Sequence, residues 1–188
     1  MAKPFIGIKQ LWYGPVLSAD LPNVAAINAL INPQSGTSDF VEVKNVHDGT
    51  WGYSHDDPDT TDYINELTGQ PYYRDKTSNG ARTITFTLGV YEFQQKKDLQ
   101  GGEVIVKGGT GDDKDDAIGW KSSGALENVN KCIIAKTKTG NYIVFSNASI
   151  VAKGDQQEKN IGLGITAVCM ENENNGVAAE YMFDAVTA

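Results

Sequence analysis

The chain predicts a mainly β fold, and three observations carry that reading. In ARTITFTLG (81–89), Ile84, Phe86 and Leu88 fall on one side of an extended chain and Thr83, Thr85 and Thr87 on the other. This is the period-2 pattern of a strand with one apolar and one polar face. Residues 131–137 and 142–151 are apolar and rich in β-branched side chains, and Lys138-Thr139-Gly140-Asn141 separates them, as in a hairpin. Strands and helices show no βαβ alternation: about six to eight strands outweigh one good helix and two weaker ones.

Taken in order, Phe5, Ile6 and Ile8 predict a first strand, with Trp12 and Tyr13 close behind. Asp20 and Pro22 open a short helix with Val24, Ile27, Leu30 and Ile31 on one face, and Asn32-Pro33 ends it. Residues 39–46 (DFVEVKNV) alternate as a second strand. Residues 47–80 form a long polar excursion in which Asp59-Thr60-Thr61 caps a brief helix through Leu67, closed by Gly69. A passage of this length with so little apolar pattern is functional or disordered in a compact domain. Its aromatics, Trp51, Tyr53, Tyr63, Tyr72 and Tyr73, argue against disorder, because they need something to pack on.

After the 81–89 strand, residues 90–99 predict a helix with Glu92 four positions before Lys96, the favourable order for an ion pair, and Gly101-Gly102 stops it. Extended structure resumes at Val104, Ile105 and Val106. Residues 110–119 are an acidic turn and 155–160 a polar loop. Residues 161–170 are a strand apolar on both faces, and 178–183 are the last strand.

The 188 residues, 40% of them hydrophobic, suffice for one domain with a real core. A net charge of −8 without a basic patch excludes specific binding to a nucleic-acid backbone. No apolar run approaches the length of a membrane span, and residues 1–10 do not read as a signal peptide. Cys132 and Cys169, each in an apolar β-rich segment, read as buried free thiols.

Chemistry is sparse. His55-Asp56-Asp57 with Asp59 is read as a solvated turn and helix cap in preference to a metal site. Asp112-Asp113-Lys114-Asp115-Asp116 departs from a calcium loop, since Lys114 stands at the third position and Ala117 where glycine belongs. There is no nucleophile elbow, HExxH, P-loop or CxxC. The expectation is a non-enzymatic protein with no cofactor and no metal.

Several stretches together resemble the major tail tube proteins of long-tailed bacteriophages: Trp12-Tyr13-Gly14-Pro15 near the start, the polar loop after the 41–46 strand, ARTITFTLG running into YEFQQKKDLQGG, and IVFSNASIVAKGDQQEKNIGLGITAVCMEN near the end. The resemblance covers about residues 5–183 and implies a single tail-tube domain: a two-sheet β-sandwich or half-barrel with one flanking α-helix, at about residues 90–99, and the long polar loop. It implies a homo-oligomer of stacked, hexameric rings in contact with other tail proteins. DNA passes through without specific binding, and the tube sits in a virion tail assembled in the bacterial cytoplasm. On that reading the 47–80 aromatics Trp51, Tyr53, Tyr63, Tyr72 and Tyr73 are inter-subunit contacts. Thr83, Thr85 and Thr87 face the lumen, where fixed negative charge would keep DNA from sticking. The alternative is a β-sandwich carbohydrate-binding or adhesion module with Trp51, Tyr53, Tyr72 and Tyr73 as a stacking platform.

Overall fold

The computed structural model describes residues 3–110, 116–125 and 127–185. Along them run β1 (Gln10–Gly14), α1 (Val24–Ile31), β2 (Val41–Glu42), β3 (Gly52–His55), β4 (Thr60–Ile64), β5 (Pro71–Lys76), β6 (Arg82–Leu88), α2 (Phe93–Gln100), β7 (Glu103–Val106), β8 (Gly109–Thr110), β9 (Ala117–Lys121), β10 (Val129–Lys136), β11 (Tyr142–Gln157), β12 (Asn160–Cys169) and β13 (Glu180–Phe183). The fold is mainly β, as the alternation predicts.

β11 is the hub. Its 16 residues carry three partners in an eight-stranded sheet of order β2-β1-β10-β11-β12-β6-β3, with β13 also on β11. One side of β11 pairs with β10 up to Ile150. The other pairs with β13 over Tyr142–Phe145 and then with β12 from Ala148 to Gln157. The predicted 138–141 turn joins β10 to β11, closed by Thr137 N–H donating to Asn141 O at 2.8 Å.

The sheet coils until its two halves pack on each other. Leu11 and Tyr13 of β1, Ile133 and Ala135 of β10, and Ile143 and Phe145 of β11 share one cluster with Ile84, Phe86 and Leu88 of β6 and Leu163, Ile165 and Ala167 of β12. The apolar side of the 81–89 alternation is thus the core side. Residues 41–47 cross the remaining gap at one end. Val43 N–H donates to Leu11 O (2.8 Å), Val46 bridges Leu88, and His47 N–H donates to Thr87 O (2.8 Å). The result is an open barrel, the half-barrel form of the expected fold.

The other face of the β1–β10–β11 half is buried too, by Trp12, Cys132, Ile134, Tyr142 and Val144 against Ile27 and Ile31 of α1 with Leu17, Leu21 and Val177. Burial on both faces explains why these strands read as continuous apolar runs. α1 begins later than the Asp20-Pro22 signal predicts. Asn23 is the N-cap, its Oδ1 accepting from Ala26 N–H at 3.0 Å, while Asp20 accepts from the Tyr181 hydroxyl at 2.6 Å. Of the predicted face, Ile27 and Ile31 are buried, and Val24 and Leu30 lie partly buried against the same cluster.

α2 is the flanking helix expected at about residues 90–99. α2 starts at Phe93, three residues after the predicted start, because Glu92 caps it in a reciprocal box with Gln95; Val90 is exposed. Leu99 plugs into the inner core and the Tyr13 hydroxyl donates to Asp98 at 3.2 Å, so the helix braces the barrel. Instead of pairing with Glu92, Lys96 places its ammonium 4.2 Å from the Trp120 ring centroid. β8, β7 and β9 form a small separate sheet beside α2. Residues 111–115 of the acidic turn lie outside the described residues.

Five expectations need correction. Residues 47–80 are not a loop: they hold β3, β4 and β5. The helix predicted from Asp59 to Leu67 is β4 and a tight turn, since Thr60, Thr61, Tyr63 and Ile64 gain cross-strand partners that outweigh a local cap. The 39–46 strand shrinks to Val41–Glu42 because the chain leaves β1 to reach β6. Residues 155–157 extend β11, and its turn is only Glu158-Lys159, with Glu158 at φ 53°. At the N-terminus, Phe5 and Ile6 are exposed and the first strand begins at Gln10.

Candidate assembly surface: a projecting β arm

β3 and β6 form the last ladder of the sheet, Gly52 opposite Thr85 and His55 opposite Arg82. The same two chain segments then continue beyond the sheet edge. Asp56 N–H donates to Ala81 O (2.9 Å) and Thr77 N–H to Asp59 O (2.9 Å), and β4 pairs with β5 from Thr60–Lys76 onward. One two-stranded ribbon is therefore divided in two. The joint has a sequence cause: Pro58 has no N–H to give the ladder. Gly80 stands at φ 24° where a Cβ would collide with the Asp56 carbonyl.

Among the described residues, the main packing partner of each strand of the distal half is the other strand of the arm. Every residue of β4 and β5 is exposed. Its own cohesion is local: Tyr63 and Tyr73 face each other with ring centroids 5.6 Å apart, and Arg74 makes a two-pronged ion pair with Asp62 at 2.6 and 2.8 Å. That guanidinium holds the Asp62 carboxyl below its ordinary value. The turn is built by Asn65, whose Oδ1 accepts from Leu67 N–H (2.9 Å) and whose carbonyl accepts from Gly69 N–H (2.8 Å). Leu67, 95% exposed, stands at the tip beside Glu66, with Ile64 half-exposed below. An isolated two-stranded ribbon is marginal in water, and an apolar tip with two tyrosines is the composition of a contact surface.

The arm gathers three of the five predicted contact aromatics, Tyr63, Tyr72 and Tyr73. The other two belong to the body. Trp51 is half-buried against the inner core. Tyr53 donates its hydroxyl to Glu180 Oε1 at 2.8 Å and rests its ring 6.3 Å from that of Phe145. Burial and this carboxylate push the Tyr53 hydroxyl up to about 12. Glu180 also accepts from Arg82 at 2.9 Å, locking β13 to the base of the ribbon. As consecutive residues of one strand, Tyr72 and Tyr73 point to opposite faces, so Trp51, Tyr53, Tyr72 and Tyr73 do not share the flat platform that sugar stacking needs.

A scan against protein-family models finds no match to the chain, and a search of curated proteins finds no significant relative.

Thr83 and Thr85 lie on the face of the sheet opposite the core, with Ser54, Ser149, Thr166, Val168 and the exposed Val151 and Lys153 in register beside them. Thr87 does not present its hydroxyl there. It is 4% exposed and donates to Asp155 at 2.8 Å, because the coil of the sheet folds β11 across it. The Gln157 and then the Thr87 hydrogen bonds hold the Asp155 carboxyl below its ordinary value. This face is hydroxyl-rich and nearly uncharged, so the acidity expected of it resides elsewhere.

Cys132 and Cys169 are both unpaired, and burial raises both thiols, that of Cys169 to about 11. Among the described residues no three His, Cys, Asp or Glu side chains gather in a way that could hold a metal ion, and no helix is long and apolar enough to cross a membrane. Sequence reading missed Leu67, Ile64 and Arg74. The signal was present as β-branched and aromatic side chains in Thr60–Ile64 and Pro71–Lys76 around an Asn65–Gly69 turn.

Proposed function

We propose that this chain is a self-assembling structural subunit of the tail-tube type: copies join laterally into rings, rings stack, and the stack forms a DNA-conducting channel in a virion tail. The arm carries this reading. A ribbon whose every strand residue is exposed, with tyrosines on both faces and a leucine at its tip, has no use in a monomer and gains its burial from another copy. The open edge of β11 beyond Ile150, bearing the exposed Val151, supplies a second unsatisfied surface suited to lateral pairing. The hydroxyl-rich Thr83–Thr85 face suits a wetted wall past which a polyanion slides, because it offers no cationic row for phosphates to release counterions against. Six copies per ring and assembly in the host cytoplasm come from the family resemblance alone. The role needs no catalytic residue and no cofactor.

The test is negative-stain microscopy of the concentrated chain beside a variant in which residues 58–79 are replaced by Asn-Gly. Rings or tubes from the full chain and only folded monomer from the armless one are expected. Equal assembly by both, or a persistent monomer that binds a glycan, would refute the proposal.

A further inference from the structure

A cavity of about 360 Å³ opens beside the gap that residues 41–47 cross. Its floor is apolar, with Leu11, Val43, Val46 and Trp51 all part of or packed on the inner core. Its rim is cationic. Lys9, Lys44 and Lys138 converge there with His47, against a single carboxylate, Asp48, in a chain whose net charge is −8. Such a concentration of positive charge is out of keeping with the rest of the molecule.

The cavity and the arm tip sit at opposite ends of one element. Trp51 immediately precedes β3, and Leu67 caps the far end of the ribbon that β3 begins. Sixteen residues of extended chain separate them, up to about 50 Å before the bend at Pro58. The tip therefore cannot fold back into its own cavity without breaking the ribbon. A second copy displaced along the ribbon direction meets no such obstacle.

The tip matches the cavity in chemistry. Its turn, residues 65–70, bears one charge, the carboxylate of Glu66, next to the bare side chain of Leu67. An anion flanked by an apolar knob is what a lysine-rimmed apolar hole accepts. We infer that the arm tip of one copy inserts into this cavity on a second copy, Leu67 onto the Val43–Val46–Trp51 floor and Glu66 among Lys9, Lys44 and Lys138. The contact is heterologous: tip and hole are different surfaces, so each copy that fills a hole offers another. It supplies a direction of growth, with exposed tips at one end and empty lysine holes at the other. The inference rests on the arm being an assembly element and names its receptor.

Two experiments on the full chain test it. In sedimentation, Leu67→Asp weakens self-association about ten- to hundred-fold, as loss of one buried leucine requires. Glu66→Lys and Lys44→Glu each weaken it several-fold, and the double exchange recovers most of the loss. All three positions are exposed, so far-UV circular dichroism should match the parent. In crosslinking, a Leu67→Cys copy is mixed with a Lys138→Cys copy under mild oxidation. A disulfide-linked dimer well above the Leu67→Cys with Lys159→Cys control supports the contact; a yield equal to that control overturns it. If the armless variant fails to assemble while Leu67→Asp and the crosslink behave as controls, the arm docks elsewhere and only this inference falls. If the armless variant assembles normally, the proposed function falls with it.

Discussion

Glu180 is the side chain whose loss should cost most for its size. It accepts two hydrogen bonds, from Tyr53 at 2.8 Å and from Arg82 at 2.9 Å, and its side chain is 12% exposed against 27% for Arg82. Hydrogen bonds to a charged group contribute about 1.5–3 kcal/mol each. Tyr53 is 36% exposed, so water replaces part of its bond and the lower figure applies there. Glu180→Ala should therefore lower stability by about 2–4 kcal/mol, including the penalty of leaving Arg82 half-buried without its partner. Glu180→Gln retains an acceptor for Tyr53 and should cost about half as much. Urea unfolding followed by tryptophan fluorescence, to which the buried Trp12 contributes, measures both. A double-mutant cycle with Arg82→Met isolates the ion pair. A loss under about 0.5 kcal/mol for Glu180→Ala would refute the view that this junction clamps the ribbon to the sheet.

Phe86→Ala, which empties a fully buried ring site between the sheet halves, should cost about 3–5 kcal/mol in the same assay. Stability should fall as pH rises from 10 to about 12. The unfolded chain loses tyrosine protons near pH 10, while Tyr53 holds its proton to about 12 and buried Tyr13 beyond that, so the folded state binds more protons across this window. Urea midpoints at pH 9 and pH 11.5 measure the drop. Glu158→Gly relieves a left-handed backbone at a non-glycine residue and should raise stability by about 0.5–1 kcal/mol with an unchanged m-value. Native protein should leave Cys132 unreacted with an alkylating reagent at pH 8 while denatured protein exposes both thiols, as mass spectrometry of the adducts would show.

Much of the barrel was legible because its strands obey local rules. The Ile84–Phe86–Leu88 alternation and the 138–141 turn carry their own geometry, and both hold in the structure. What escaped is what depends on distant partners. Nothing near residues 39–46 says that this segment must leave β1 and bridge Leu88, so alternation there overstated the strand. Asp59-Thr60-Thr61 is as good a cap as it is a strand start, and only the pairing of Tyr63 with Tyr73 and Asp62 with Arg74 decides between them. The aromatics of 47–80 stand close in sequence. Their division between body and arm was hidden, because it turns on one ladder broken at Pro58 and Gly80.

The placement of β11 governs how the chain can acquire its shape as it is made. β1 waits for β10, about 120 residues away, and β6 waits for β12, about 80 residues on; both need β11 between them to complete the sheet. Before Val129 has left the ribosome, the β1–β2, β3–β6, β4–β5 and β7–β9 pairings have both their strands, while the other sides of β1 and β6 still lack β10 and β12. More than a hundred residues of nascent chain thus carry apolar strands with one ladder side unfilled. Closure of the large sheet comes late. If the chain assembles as proposed, it completes its own edges almost at the moment it becomes available to neighbours.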